Sequence, residues 1–349
     1  MAVDRADATV PHPSPGDPDV SPTTVHHVTP DGLRPSTIDE IPALLAAGDG
    51  VVWVDIAACD ADAETLLRDV FGFHPLAVAD CMRRTPIPKV HAYADHAFVV
   101  LHAPEPGSGG HMHYLELDQF VGPGYLVTVH GPVNPEVDAS IALEETAAVR
   151  ERLAVGRASA TTGPELSAAI VGALVRRLLR RLEELTTQVW ELERTVTAGH
   201  FGNAEEFLER MFRVRHGLMT VATMAMLDRE VYGRIARLPG FGEERDRDVA
   251  ADVVDQLGRI AAMADGQKTY IEGVIAFYRT RTDTKMTIAA ERLAVIAGVT
   301  LPVTALSSVM GMNVIVSGHT EWVPLAILLA VMLVMSAMML AWARRRGWW

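Results

Sequence analysis

Two long uncharged segments near the C-terminus constrain this chain more than any other feature. The first, LAVIAGVTLPVTALSSVMGM, covers residues 293–312, and the second, WVPLAILLAVMLVMSAMMLAW, covers residues 322–342. A helix that crosses a bilayer needs about 20 predominantly apolar residues, and neither segment contains Asp, Glu, Lys or Arg. We therefore predict two transmembrane helices, at residues 293–313 and 322–343, joined by an outer loop at residues 314–321.

The placement of Lys and Arg predicts the orientation of these helices. Basic residues stand before the first segment and after the second, whereas residues 313–321 contain none. Cytoplasmic flanks carry an excess of Lys and Arg, so we expect both termini in the cytoplasm and the chain in the cytoplasmic membrane as a multi-pass protein. The basic residues in question are Arg279, Arg281, Lys285, Arg292, Arg344, Arg345 and Arg346.

Composition excludes several other classes of protein. With 31 Lys+Arg against 44 Asp+Glu, the formal net charge is −13, which argues against a nucleic-acid partner because such proteins are normally basic. Cys59 and Cys81 are the two cysteines. They cannot form a multi-bridge disulfide framework, and we expect free thiols in a reducing compartment.

The remainder of the chain divides by its pattern into four regions. Residues 1–38 carry seven prolines and are predicted to be a flexible tail. Residues 39–160 alternate strand-like and helical segments and predict an α/β domain, residues 161–292 predict a helical stalk, and residues 344–349 form a basic tail. The strand-like segments are residues 51–57, 97–103, 114–122 and 125–131.

The stalk begins with a heptad pattern, in which apolar residues alternate steps of four and three. Four arginines, at 176, 177, 180 and 181, lie between the apolar positions and near Glu183 and Glu184. We interpret them as a solvated, salt-bridged face, with a phosphate-binding patch as the alternative. A second helix is predicted at about 204–237 and a third from about 245 to 312, unbroken into the membrane. The heptad residues are Val171, Val175, Leu178, Leu182, Leu185, Val189, Leu192 and Val196.

The first membrane segment has one side that is mostly small or hydroxylated. At about 100° per residue these side chains fall on a stripe about 100° wide. Such a stripe suits either close helix packing or the lining of a water-filled path, and the pattern alone leaves both open. Two helices cannot enclose such a path, so a transport function requires oligomers. The stripe consists of Ala290, Leu293, Ala297, Thr300, Thr304, Ser307, Ser308 and Gly311.

The first membrane segment ends in Gly311-Met312-Asn313. At the outer end of the penultimate membrane helix, this motif resembles the signature of CorA-type divalent-cation transporters. The resemblance covers most of the chain: FGFHPLAVADC, PKVHAYADHAFVVL and YLVTVH look like N-terminal blocks of the family, RTDTKMTIAAERLAVIAGVTLPVTALSSVMGMN looks like its long pore helix, and RRRGWW looks like its C-terminus.

The resemblance implies an α+β membrane protein that assembles as a homopentameric channel. An N-terminal cytosolic α/β domain, a long helical stalk and two C-terminal transmembrane helices would form each subunit, in contact with membrane lipid. The function implied is Mg²⁺ transport, with Co²⁺ or Ni²⁺ sharing the route, and no organic cofactor. The implied pore residues are Gly311, Met312, Asn313, Thr304, Thr300, Leu301, Leu293 and Thr287, with Glu321 in the outer loop.

The resemblance also implies regulation by cytosolic Mg²⁺. Asp80 matches the acidic position of the family's N-terminal block, and Asp252 on the long helix matches its partner, with Asp255 as the competing ligand. Carboxylates from neighbouring subunits would share a hydrated ion. Thr287 and Ala290 stand where many members have a pore asparagine and a gating methionine, which leaves ion preference and the position of the gate open.

Two alternatives compete with Mg²⁺ transport. A zinc transporter of the same fold would use histidines such as His111, His113 and His319, although they lack the usual spacing of a closed zinc site. We expect His111 and His113 at a solvated hairpin tip. A membrane-anchored coiled-coil protein without transport would explain the heptads but not Gly311-Met312-Asn313. We expect no enzyme, since the adjacent Asp80 and Cys81 fit one face of a helix better than a catalytic pair.

Overall fold

The computed structural model describes residues 23–132, 134–199, 203–238, 242–311 and 322–346. The contacts between residues divide the chain into two units, Met1–Ile271 and Glu272–Trp349. The first unit contains a mixed β-sheet with helices on both faces. The second contains the apolar helices.

The sheet has seven strands in the order β2-β1-β3-β7-β6-β5-β4. Neighbouring strands are antiparallel except for β3 and β7, which are parallel. A parallel pair requires a long crossover connection, and here the chain between β3 and β7 includes two α-helices and three strands. The strands are β1 (Thr23–Thr29), β2 (Gly32–Ser36), β3 (Val51–Ile56), β4 (Lys89–Ala92), β5 (Ala97–Pro106), β6 (Met112–Gly122) and β7 (Tyr125–Val129).

One face of the sheet is covered by short helices, which are α1 (Ile41–Ala47), α2 (Ala61–Thr65, continued by a wider turn at Leu66–Val70) and α3 (Pro75–Cys81). Phe73, which precedes α3, stacks on Phe120 of β6 with ring centroids 4.1 Å apart. Apolar residues of β3, β5, β6 and β7 complete this core. The strand VVWVDI is buried at every position. Because both of its faces are covered, its sequence is a nearly continuous apolar run.

The other face packs against the longer helices α5 (Glu144–Ala154), α6 (Gly163–Ala198) and α7 (Ala204–Ile235), with the short α4 (Ala139–Ala142) before them. The hydroxyl of Thr162 accepts a hydrogen bond from the amide of Glu165 at the start of α6, and Gly199 ends that helix in the left-handed conformation. All eight predicted heptad residues are buried on α6, so the apolar seam is the side that packs.

The predicted flexible tail extended too far along the chain. Residues Thr23–Thr29 and Gly32–Ser36 are strands β1 and β2, and β1 pairs with β3 in the sheet. Pro35 argued against a strand in the sequence. Proline is nevertheless tolerated on an edge strand, and β2 lies at one edge of the sheet. Residues 1–22, also assigned to the tail, lie outside the described residues.

Two helices complete the chain, α8 (Glu244–Gly311) and α9 (Trp322–Arg345). Helix α8 has 68 residues and continues through Pro302, which confirms the prediction of one unbroken helix from the stalk into the apolar segment. At 1.5 Å per residue it is about 100 Å long.

Candidate functional site

The described part of the chain contains two helices that are long and apolar enough to cross a membrane, α8 and α9. The most apolar window of α8 has a mean hydropathy of 1.6 and that of α9 has 2.5. Large side chains on these helices stand exposed, for example Leu333 at 72% and Met338 at 63%. Exposing apolar surface to water costs about 25 cal/mol per Å², so these segments require lipid or further protein around them.

The small and hydroxylated stripe of α8 is not covered by α9. Its members from Ala290 to Ser308 are all exposed. The contact with α9 is on the other side of the helix, where Val295 is only 6% exposed and a Cβ added at Gly298 would lie 3.9 Å from Cε of Met339 on α9. The stripe is therefore not used for packing against the chain's own second apolar helix. It is left for a water-filled path or for another copy of the chain.

Hydroxyl groups along α8 donate their protons to the helix backbone, which leaves their oxygens able to accept further hydrogen bonds. Oγ1 of Thr300 donates to the carbonyl oxygen of Ile296 at 2.9 Å, and Oγ1 of Thr304 donates to that of Thr300 at 2.8 Å. Before the uncharged segment, Oγ1 of Thr287 donates to the carbonyl oxygen of Asp283 at 3.0 Å. A hydroxyl has one proton and two lone pairs, so each oxygen keeps its accepting capacity for other donors. Water bound to a cation is such a donor.

Two exposed leucines lie along the stripe, Leu293 within it and Leu301 beside it. Leu293 and Leu301 are each 66% exposed and lie about 12 Å apart along the helix axis. Apolar constrictions in pores block ions by excluding water. In an assembly around α8, these two positions are suited to form such constrictions.

The predicted outer motif lies mostly outside the described residues. Helix α8 ends at Gly311, whereas Met312, Asn313 and Glu321 fall in the undescribed range 312–321. Their role in ion selection stays a prediction.

Asp80 lies at the end of α3, next to a lysine. The buried Ala77, Val78 and Cys81 set the packed face of α3, and Asp80 remains at its edge with 36% of its side chain exposed. Nζ of Lys89, the first residue of β4, lies 2.7 Å from Oδ2 of Asp80. Lys89 was not predicted as part of this site. The signal was the lone lysine of PIPKV, which directly precedes the buried Val90.

The other two predicted sensing residues lie on α8. Asp252 is exposed and accepts a hydrogen bond from Nε2 of Gln256 at 2.6 Å, and Asp255 is also exposed. Within the described ranges, no three His, Cys, Asp or Glu side chains are grouped so that they can hold a metal ion. One chain alone therefore does not bring Asp80 and the α8 carboxylates into a complete site among these residues.

The histidines of the β5–β6 turn differ from the prediction in one respect. The rings of His111 and His113 lie 4.9 Å apart, edge to face. His111 is exposed, as expected of a hairpin tip, but His113 is only 7% exposed. Nδ1 of His113 lies 3.4 Å from Nδ2 of Asn134. His113 is buried because the chain after β7 covers it.

The arginines of α6 do form ion pairs, as predicted. Nε of Arg177 lies 2.6 Å from Glu145, and another nitrogen lies 2.8 Å from Glu144. Arg180 also binds Glu144. Arg177 differs from the prediction because it is buried, at 4% exposed, and burial of Glu145 raises the pKa of that carboxyl against the opposing effect of the Arg177 charge.

Comparisons with known proteins agree with this architecture. The chain is 25% identical over 299 residues to the "Putative metal ion transporter YfjQ" of Bacillus subtilis, covering 85% of this chain and 89% of that protein. It is 22% identical over 301 residues to the "Cobalt/magnesium transport protein CorA" of Thermotoga maritima, covering 85% and 83%. The complete structure of the CorA magnesium transporter from Methanocaldococcus jannaschii has the same fold, with a TM-score of 0.74 and 16% identity over 95% of this chain and 99% of that one.

The family relationship follows from the extent of the match. The sequence profile of the CorA-like Mg²⁺ transporter protein family matches residues 48–345, a range that includes most of the α/β domain, the stalk helices and both apolar helices. This chain, with its long helix and its exposed hydroxylated stripe, is a member of the CorA-like Mg²⁺ transporter family.

Proposed function

We propose that five copies of this chain surround one axis in the cytoplasmic membrane and conduct Mg²⁺ between their α8 helices. The observation that carries the proposal is the exposed stripe from Ala290 to Ser308, which the chain's own α9 leaves uncovered. Assembly around an axis gives this stripe a water-filled path to line. Helix α9, whose exposed and described side chains from Trp322 to Trp342 are apolar, then contacts lipid.

The chemistry of the stripe suits a hydrated dication. Mg²⁺ loses its water reluctantly and usually keeps several water ligands, so the path must bind water hydrogens rather than bare metal. The hydroxyl oxygens of Thr300 and Thr304 are acceptors of this kind. Conduction requires binding that is favourable enough to admit the ion and weak enough to release it, which neutral oxygens satisfy better than carboxylates.

At the outer mouth, we propose that the amide of Asn313 forms the ion-selecting ring, following Gly311 and Met312. Glu321 would concentrate cations near the entrance through its charge. In this orientation both termini are cytoplasmic. The basic residues Arg344 and Arg345 at the end of α9 are consistent with a cytoplasmic boundary.

On the cytosolic side, we propose that Asp80 of one subunit and Asp252 or Asp255 of its neighbour share a hydrated Mg²⁺ that favours the closed state. Asp252 and Asp255 are exposed on α8, so a neighbour has access to them. A ligand shifts such an equilibrium only through its different affinities for the two states. Bound Mg²⁺ would remove the repulsion between these carboxylates, and loss of Mg²⁺ would restore it and open the path.

The test is Mg²⁺ uptake into liposomes by Asn313→Ala and the parent protein at equal pentamer content. We expect Asn313→Ala to lose uptake and to keep its pentameric mass. Uptake at the parental rate would contradict the ion-selecting role of Asn313. Uptake of Zn²⁺ in place of Mg²⁺ by the parent would favour the zinc transporter instead.

A further inference from the structure

A basic cavity lies in the first unit. It is bounded by the β5–β6 turn, by α6 and by α7, and has a volume of about 260 Å³. Arg181, Arg210 and Arg213 line it together with His111, and no carboxylate is among the lining residues. Three guanidinium groups around one space repel one another unless an anion lies between them.

A glycine allows α7 to approach the turn. Gly110 has a φ of +84°, a conformation in which side chains are strained. A Cβ added at Gly110 would overlap the side-chain stem of Arg213. The turn therefore holds the Arg213 side chain beside the cavity because position 110 has no side chain.

The arginines of the cavity are only partly neutralised. Arg181 has a partner in Glu184 at 2.7 Å and Arg210 one in Glu191 at 3.7 Å, and both glutamates are more than half exposed. Nε of Arg181 is buried without a hydrogen-bond partner in the described part of the chain. A buried donor without a partner is unfavourable, and an anion in the cavity would supply the missing acceptor.

Arg177, about one helical turn before Arg181 on α6, is by contrast fully neutralised. Three glutamates, Glu105, Glu144 and Glu145, lie within 3.5 Å of its guanidinium. Among the residues that the structure describes, no carboxylate lies within ion-pair distance of Arg213. Arg177 therefore belongs to an internal ion-pair network, whereas the cavity keeps positive charge that no carboxylate balances.

We propose that this cavity binds the phosphate group of a small anion. Guanidinium groups bind phosphate oxygens through two parallel hydrogen bonds, and arginine is the preferred residue for this recognition. A water molecule occupies about 30 Å³, so the cavity has room for a phosphate group and a small organic remainder. The ligand would join the β5–β6 turn to α6 and α7. The site does not depend on the proposed cation path.

The experiment is calorimetric titration of the full-length protein in detergent, without Mg²⁺ and at constant ionic strength. The probes are inorganic phosphate and glycerol 3-phosphate, with chloride as the reference anion. We expect saturable binding of phosphate that weakens as salt is added. Tighter binding of glycerol 3-phosphate would identify a phosphate ester as the ligand class, and equal binding would identify inorganic phosphate.

Two variants test the residues. Arg213→Gln and Arg210→Gln should each weaken phosphate binding about tenfold, because one charged hydrogen-bonding partner contributes about 1.4 kcal/mol or more. Arg213→Lys should bind with intermediate affinity, since it keeps the charge but loses the planar fork. Arg234→Gln, an exposed arginine further along α7, is the control and should bind as the parent does.

The proposal would be overturned by absence of saturable phosphate binding to the parent protein. Parental affinity in both Arg213→Gln and Arg210→Gln would overturn it as well. Circular dichroism of each variant establishes that a lost affinity does not come from lost folding.

Discussion

Nζ of Lys89 lies 2.7 Å from Oδ2 of Asp80, and this ion pair joins the first residue of β4 to the end of α3. The two side chains are 28% and 36% exposed. Asp80 is the carboxylate that we propose to sense cytosolic Mg²⁺. The ammonium group of Lys89 therefore already neutralises Asp80 and would repel a Mg²⁺ ion that approaches this carboxylate.

Removing this ammonium group should make the proposed sensing site bind Mg²⁺ more tightly. We expect Lys89→Met to close the pore at a several-fold lower internal Mg²⁺ concentration, because the local potential becomes more negative. The measurement is Mg²⁺ uptake as a function of internal Mg²⁺. Lys268→Met, which removes the ion pair of Lys268 with Asp265 on α8, is the control and should respond as the parent does. An unchanged closing concentration in Lys89→Met would place sensing elsewhere.

The two proposed sensing carboxylates can be removed together. The double variant Asp80→Asn with Asp252→Asn should take up Mg²⁺ even at millimolar internal Mg²⁺, because neither side of the proposed site then attracts the ion. Protease protection by Mg²⁺ should disappear in the same variant. If internal Mg²⁺ still stops uptake, the single variant Asp255→Asn becomes the next measurement.

The hydroxyl oxygens of the stripe should matter for flux and not for assembly. Thr300→Val and Thr304→Val keep the shape of each side chain and remove an acceptor for water bound to the ion. We expect each to lower Mg²⁺ uptake several-fold, with pentamer mass unchanged. Ser336→Ala, on α9, is the control and should transport normally. Parental flux in the double threonine variant would assign the stripe to packing between copies.

The exposed leucines should hold the closed state. Shortening Leu293 or Leu301 to alanine widens the constriction and lets water enter it. We expect Leu301→Ala or Leu293→Ala to leak Mg²⁺ at an internal concentration that closes the parent. Measurement of uptake at high internal Mg²⁺ checks this, with Leu333→Ala on the exposed surface of α9 as the control. A tight closed state in both variants would contradict gating by these leucines.

A buried carboxyl on β6 should make stability depend on pH. Asp118 is fully buried, and burial together with the charge of Glu116 raises its pKa well above the usual value. The folded state therefore keeps a proton that the unfolded state releases above its ordinary pKa of about 3.9. The free energy of unfolding consequently falls as pH rises from that value toward the folded pKa.

Replacing Asp118 with asparagine should remove this loss of stability. A stabilisation of 1 kcal/mol corresponds to about 2–4 °C in the Tm of a domain of this size, so we expect Asp118→Asn to melt several degrees above the parent at pH 8. The gain should be smaller at pH 5. Asp31→Asn, in an exposed turn, should show no such difference between the two pH values. A gain that is equal at both would refute the raised pKa.

Much of the fold could be predicted from local sequence patterns. The heptad seam and the uncharged segments are patterns that extend over many residues. The structure has helices α6, α8 and α9 at the positions that these patterns predict. Strand β1 was not predicted because its Thr and His residues follow a proline-rich stretch. Strand β2 contains Pro35, and β4 has only four residues. Their pairing in the sheet, and not their composition, decides their conformation.

The candidate site was predictable in its residues and not in its contacts. The spacing along α8 identified the stripe from Ala290 to Ser308 because helical periodicity is local. The pairing of Asp80 with Lys89 depends on where β4 meets α3, and the cavity at Arg213 depends on a turn from another part of the chain. Such contacts are tertiary, and a single sequence carries no periodic signal for them.

Conduction of Mg²⁺ by this chain is measured as uptake into liposomes that contain the purified parent protein. A Mg²⁺ dye inside the liposomes reports entry under an inside-negative potential, and parallel assays use Co²⁺, Ni²⁺ and Zn²⁺. We predict saturable Mg²⁺ uptake that grows with the potential and stops as internal Mg²⁺ rises. Uptake no faster than in protein-free liposomes, from correctly inserted pentamers at low internal Mg²⁺, would contradict it.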